Sequence, residues 1–119
     1  MSATTATSVP DTVAHARSLA QRFAADVRAH FASRVRAVRL YGSAARGDWT
    51  PESDIDILVL FDRVSGDDSE WLVNRAVKMG LLDSGLLLQP VFMAEADYIH
   101  LRDRERRFAI EVDREGKDL

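Results

Sequence analysis

The first element predicted by the pattern of apolar residues is a helix near the start of the chain. After Pro10, apolar side chains recur at spacings of three and four residues, which place one helical stripe at Ala16, Ala20, Phe23, Val27 and Phe31. We expect this helix to run from about residue 12 to residue 32, with Asp11 as a candidate cap. Residues 1–9 are small, hydroxyl-rich and without periodicity, so we expect a disordered lead-in before a single domain at residues 10–119.

Two strands are expected next. Residues 35–41 mix β-branched and aromatic side chains with arginines, which suits a strand covered on one face and ending at Gly42. The clearest strand covers residues 54–61. Its alternation places Asp54, Asp56, Leu58 and Leu60 on one face and apolar residues on the other, so both faces are buried except at the N-terminal end.

The rest of the chain predicts a helix, a strand and further helical structure. Turn residues at 66–68, with Glu70 three residues after Asp67, are expected to start a helix that continues to Leu82. Residues 86–93 form an apolar strand whose Pro90 cannot donate to a ladder, which indicates an edge or a bulge. Beyond it, the charged run at residues 102–107 favours an exposed face or a break between two short helices, with Gly116 as the closing cap.

This order predicts an α/β (α+β) domain in which a small sheet is flanked by helices. The chain has 119 residues, is 46% hydrophobic and 29% charged, and has a net charge of −3. That balance makes an electropositive nucleic-acid platform improbable, and we expect no direct nucleic-acid binding. With no cysteine and no long apolar run, disulfides, thiolate zinc sites and membrane association are excluded, and a reducing cytoplasm fits.

The first chemical feature is the acid pair Asp54 and Asp56. Two residues apart on a strand, the carboxylates project to the same side about 6–7 Å apart. Their repulsion is on the order of 2–3 kcal/mol at an effective dielectric constant near 20, which is unfavourable unless a cation lies between them. Magnesium is the natural occupant, because it prefers carboxylate oxygens and completes its shell with waters and substrate phosphates. A chance pair at a strand end is the alternative.

The second feature is the turn at Gly42 and Ser43. A glycine permits close backbone approach, and the freed amides and the serine hydroxyl can hold phosphate oxygens. Arg46 adds a positive fork. A plain turn is the alternative. The ten residues 44–53 are able to return the chain to the same sheet end, which would join the turn and the acid pair in one site for a metal-bound nucleotide.

The segments Leu40-Tyr41-Gly42-Ser43-Ala44-Ala45-Arg46-Gly47-Asp48 and Ser53-Asp54-Ile55-Asp56-Ile57-Leu58-Val59 closely resemble the motif of the DNA polymerase β-like nucleotidyltransferase superfamily. In particular, the chain is similar to the minimal nucleotidyltransferases, which are commonly encoded beside HEPN-domain partners as toxin–antitoxin pairs. The resemblance implies a mixed, palm-like sheet flanked by helices. It also implies that Gly42 and Ser43 contact nucleotide phosphates and that Asp54 and Asp56 hold Mg²⁺, with two ions expected.

The resemblance further implies nucleotidyl transfer, in which a hydroxyl attacks the α-phosphorus of a nucleoside triphosphate and diphosphate leaves. ATP is the expected donor, and the acceptor is a tyrosine hydroxyl of a HEPN toxin, so this chain would be the antitoxin in a hetero-oligomer. One position departs from the pattern. Active members place a third carboxylate on the later strand, where this chain has Gln89. Asp83 and Glu95 flank that strand as candidate substitutes, and a catalytically inactive antitoxin that acts by binding remains the alternative function.

Other site types fit less well. A P-loop requires lysine where this chain has Asp48 and a hydroxyl where it has Trp49, and a hydrolase elbow requires a different pattern around Ser43. The three histidines show no paired ligand spacing, so zinc is not indicated. Trp49 and Trp71 lie near predicted turns, where each would either stack on a base or pack in the core.

Overall fold

The computed structural model describes residues 9–104 and 106–119 as a mixed four-stranded sheet with helices on both faces. Its elements are α1 (Val9–Phe31), β1 (Val35–Tyr41), α2 (Ser43–Arg46), β2 (Ile55–Phe61), α3 (Gly66–Ala76), β3 (Leu88–Ala94), α4 (Glu95–Arg104), α5 (Arg106–Glu115) and β4 (Lys117–Asp118). The strand order is β3-β2-β1-β4. Strands β2 and β3 are parallel, and β1 is antiparallel to both β2 and β4. The predicted fold class is confirmed.

Helix α1 carries the largest apolar face. The predicted stripe is buried along its whole length, with Ala16, Ala20, Phe23, Val27 and Phe31 all at most 5% exposed. The predicted start near residue 12 was wrong, because the helix begins at Val9 and takes Pro10 into its first turn, where a missing amide hydrogen costs no helical bond. The prediction of a disordered lead-in falls, for residues 1–8, outside the described residues.

The alternation in β2 divides the core into two layers, as predicted. Ile55, Ile57, Val59 and Phe61 pack with α1 and α3 in the larger cluster. Leu58 and Leu60 face the other way and pack with Tyr98 of α4 and Val112 of α5 in the smaller one. Asp54 and Asp56 have the same parity as Leu58, so they belong to the face covered by α4 and α5.

Helix α3 starts at a different cap from the one predicted. Ser65 is the N-cap and forms a reciprocal capping box with Asp68, whereas the sequence had suggested Asp67 with Glu70. Beyond Ala76 the helix continues as a π-helical segment, Val77–Leu82. Gly80 lets that segment approach the strand beyond it, because a Cβ there would lie 2.7 Å from the Leu86 carbonyl oxygen. The sequence did not predict this change of helix type.

The C-terminal third confirms two predictions and adds one element. Strand β3, with Pro90, is an edge strand. The expected break within the charged run falls at residue 105, which lies outside the described residues. Gly116 closes α5, as predicted, by donating its amide to the Val112 carbonyl at 2.9 Å. The two-residue strand β4 was missed, since it is too short to show alternation. Over the described residues, no helix is both long and apolar enough to span a membrane.

Candidate active site

The glycine turn, residues 42–48, follows β1 and contains the short helix α2. Gly42 has φ 74° and ψ −155°, a conformation open almost only to glycine. Its carbonyl accepts hydrogen bonds from the amides of Ala45 and Arg46 at 3.1 and 3.0 Å. The amides of Ser43 and Ala44 come just before these two, and they donate to no acceptor among the described residues. Two donors therefore remain available at the start of α2.

Asp56 lies directly against this turn. Because β1 and β2 are antiparallel, the end of β1 and the start of β2 meet at one edge of the sheet, where Tyr41 is paired with Asp56. The Asp56 carboxylate occupies the space in front of Gly42, since a Cβ at Gly42 would overlap its Oδ2. The structure therefore brings the predicted turn and the second predicted aspartate into contact. Asp54, one residue before β2, is exposed at the same edge.

The site carries uncompensated negative charge. Burial, the charge of Asp54 and the charge of Glu111 in α5 raise the pKa of Asp56 from 3.8 to about 6, and Arg46 only partly opposes them. Burial also raises the pKa of neighbouring Tyr41, with further contributions from Asp56 and Glu111. A carboxylate in these surroundings gains from a bound cation.

Two carboxylates are the protein donors available for such a cation. The described residues contain no cluster of three or more His, Cys, Asp or Glu placed to hold a metal ion. Mg²⁺ commonly uses one or two carboxylates and takes its remaining ligands from water and substrate phosphates. The donor set of Asp54 and Asp56 beside the free amides of the glycine turn fits that pattern.

Arg46 is positioned by acids that the sequence did not point out. Its guanidinium lies 3.4 Å from Asp48, 3.5 Å from Glu111 and 3.1 Å from Glu115. The last two residues belong to α5, which covers this face of the sheet. Arg46 was predicted to bind phosphate, and here it links the glycine turn to α5. Glu111 and Glu115 lie in a charged helix far along the chain, and only the tertiary fold places them here.

The third-acid position is neutral in the structure as well. Gln89 of β3 is paired with Asp56 in the parallel register, so its side chain belongs to the same face and the same end of the sheet. Neither candidate substitute replaces it. Asp83 is paired with Lys78 at 3.1 Å, and Glu95 begins α4 beyond Ala94, at the opposite end of β3.

The two tryptophans have packing roles. Trp49 is 1% exposed, and its indole N–H donates to the Ser53 carbonyl at 3.0 Å, which fastens the segment before Asp54. Trp71 stacks on His30 with ring centroids 4.1 Å apart. A cavity of about 390 Å³ opens beside Trp49, but it lies against α1, on the face of the sheet opposite to Asp56.

Sequence comparison agrees with this arrangement. A family model described as the nucleotidyltransferase domain matches residues 20–114. A protein of Methanocaldococcus jannaschii named "Putative protein adenylyltransferase MJ0604" is 32% identical over 75 residues, which cover 63% of this chain and 70% of that protein.

Solved structures show the same fold. A mutant of the toxin-antitoxin MntA-HpeT superposes with a TM-score of 0.55 at 22% identity, covering 83% of this chain and 70% of the other. A toxin-antitoxin structure with AMP-PNP gives a TM-score of 0.56 at 22% identity, covering 82% and 70%. With the family model spanning most of its length, the chain belongs to the nucleotidyltransferase domain family.

Proposed function

We propose that this nucleotidyltransferase is magnesium-dependent and transfers AMP from ATP to a hydroxyl group of a partner protein. The observation that carries the proposal is the contact between the Gly42 turn and the Asp56 carboxylate. This contact brings the free backbone amides of the turn and the acid pair, whose negative charge favours a bound cation, into one small site. The names of relatives support the donor and acceptor classes, since one is named a protein adenylyltransferase and a structural neighbour is described with AMP-PNP.

In the proposed reaction, Asp54 and Asp56 would hold Mg²⁺, which would supply neutralisation of the charge on the phosphates and on the reacting oxygens. The amides of Ser43 and Ala44, with the Ser43 hydroxyl, orient the triphosphate against the turn. A new bond forms between the acceptor oxygen and the α-phosphorus, the bond to the bridging oxygen breaks, diphosphate leaves, and the hydroxyl proton is released. The protein contributes mainly positioning, which suits so small a domain.

The proposed partner is a HEPN-domain toxin, with this chain as its antitoxin in a hetero-oligomer. Support comes from the toxin-antitoxin complexes among the structural neighbours and from the motif at residues 40–59. We place the reaction in the cytoplasm, because ATP is available there and a chain without cysteine has no disulfide that a reducing compartment would break.

A second candidate function is neutralisation by binding alone. The observation in its favour is Gln89, which sits beside Asp56 where an acid would be needed for a third carboxylate. An amide oxygen is a weak metal ligand and a poor base. Under this alternative, the fold and the partner interface persist without turnover.

Label transfer separates the two functions. The partner toxin is incubated with this protein, Mg²⁺ and ATP labelled at the α-phosphate. Catalysis predicts label on the toxin, and Asp54→Asn or Asp56→Asn should lower the rate by at least about 100-fold, as expected when charge stabilisation at a transferring phosphate is lost.

Asp62→Asn is the matched control, because Asp62 follows the opposite end of β2 and pairs with Arg34 at 3.4 Å. It should leave transfer within about twofold of wild type, as surface ion pairs contribute little. A tight complex without any label on the toxin would reject the enzymatic proposal and support neutralisation by binding.

A further inference from the structure

We infer that Arg17 of α1 is a positioning residue that holds the glycine turn in its nucleotide-binding shape. The inference rests on the proposed function, because it concerns the same turn. Arg17 Nε donates to the Ala44 carbonyl at 2.9 Å, and its Nη2 donates to the Ala45 carbonyl at 3.1 Å. Both acceptors lie in α2, 27 and 28 residues along the chain.

The turn needs an external support of this kind. Helix α2 has only four residues, too few to be stable alone, and glycines with positive φ stand at both its ends. The final carbonyls of a helix have no partner within it. Arg17 provides partners for two of them and places a positive charge where the helix dipole favours one.

Arg17 acts through α2 and has no direct route to the substrate. It belongs to α1, which covers the face of the sheet opposite to Asp56. Arg17 uses both Nε and Nη2 for these two carbonyls, so its guanidinium is directed at the backbone of α2. Those carbonyls follow directly after the amides that the proposed function assigns to phosphate. Fixing one end of α2 therefore fixes the other.

Arg17→Met tests this inference, and Arg28→Met is its matched control. Arg28 lies on the same helix and also donates to a main-chain oxygen, that of Leu119 at 3.0 Å, but far from the turn. Amide hydrogen exchange is measured without nucleotide. Arg17→Met should accelerate exchange at Gly47 and Asp48, whose amides bond the Ser43 carbonyl at 2.8 and 3.1 Å, and Arg28→Met should not.

Nucleotide affinity gives the second readout. AMP-PNP with Mg²⁺ should bind Arg17→Met roughly tenfold more weakly than wild type, which corresponds to about 1.4 kcal/mol, and Arg28→Met within about twofold. Arg17→Lys retains a donor and should recover part of the affinity. Melting temperatures of the variants are compared, so that a general loss of stability is separated from a local one.

The outcomes divide cleanly. Equal exchange at Gly47 and Asp48 in the two methionine variants overturns the inference, as does faster exchange with unchanged AMP-PNP affinity. Wild-type protein that binds no AMP-PNP overturns the proposed function instead, and the exchange data still decide whether Arg17 holds the turn.

Discussion

Gly42 is the residue on which the geometry of the site depends. Its backbone lies in a region that other residues enter at a cost of about 1–3 kcal/mol. Its missing side chain also leaves room for the Asp56 carboxylate. Glycine is thus required at position 42 both for its backbone conformation and for the space that it leaves. Both properties let the Asp56 carboxylate approach the free backbone amides of the turn.

Gly42→Ala should damage both stability and binding. We expect the free energy of unfolding to fall by about 2–4 kcal/mol, the backbone strain plus the displacement of Asp56. Weaker binding of Mg²⁺ and nucleotide should accompany it. Urea denaturation and titration with AMP-PNP measure the two effects.

Gly66→Ala is the control, because a Cβ at Gly66 would meet nothing within 4 Å and this residue opens α3 with an ordinary backbone. Alanine there should be neutral or stabilise by up to about 1 kcal/mol. Comparable losses in both variants would refute the special role of Gly42.

When no cation is bound, the ionised form of Asp56 lowers the free energy of unfolding. Folding raises its pKa from 3.8 to about 6, so the folded state retains a proton that the unfolded state has already lost in this range. The free energy of unfolding therefore decreases as the pH rises from 3.8 to about 6, and the full cost is present above that range.

Replacing that acid should stabilise the metal-free protein. At a pH of about 7.5 without Mg²⁺, we expect Asp56→Asn to raise the free energy of unfolding by roughly 1–2 kcal/mol, after allowance for solvent screening. In saturating Mg²⁺ and AMP-PNP the order should reverse, because only the wild type gains from the ligand. Chemical denaturation under the two conditions tests this, and a wild type more stable than the variant without ligand would contradict it.

At the scale of elements, the start of α3 shows how a helix end is fastened to the sheet. Asp68 accepts the Ser65 amide at 2.9 Å and two hydrogen bonds from Arg34, at 3.1 and 2.6 Å. Chiefly through the Arg34 hydrogen bonds, and against the effect of burial, the pKa of Asp68 falls from 3.8 to about 2. Asp68, the partner of Ser65 in the capping box, thereby anchors Arg34 in the turn that leads into β1.

Asp68→Asn should cost about 1–2 kcal/mol of stability near neutral pH, since it loses the charge but keeps one oxygen acceptor. The lowered pKa means that the contribution of Asp68 is present above pH 3.8 and disappears as the pH falls through about 2. The stability difference between wild type and variant should therefore shrink over that acid range. Acid titrations of thermal unfolding provide the measurement, and a constant difference would argue against the ion pair as its source.

Elements with a strong local pattern were predictable from the sequence. The stripe of α1 and the alternation of β2 each repeat often enough to define both the element and its buried face. Pro90 marked β3 as an edge strand through its missing donor. The π-helical segment and β4 could not be predicted, because Gly80 meets Leu86 and Lys117 meets Leu40 only after the chain has folded.

At the scale of the whole molecule, the site lies where two antiparallel strands meet and α5 closes over their edge. Arg46 connects these parts through Asp48 of its own turn and Glu111 and Glu115 of α5. In this candidate site, one sheet edge carries the two acids, the turn carries the amides, and a helix from the far end of the chain contributes the charge of Glu111.

The sequence alone determined the turn and the acid pair, because glycine conformation and strand alternation are local properties that residues 42–56 express by themselves. It also determined that Gln89 departs from the expected acid. The tertiary structure alone decided that Asp56 presses against Gly42, that Glu111 raises the pKa of Asp56, and that Arg17 supports α2. Those contacts join residues far apart in the chain, and no local pattern encodes the distance between them.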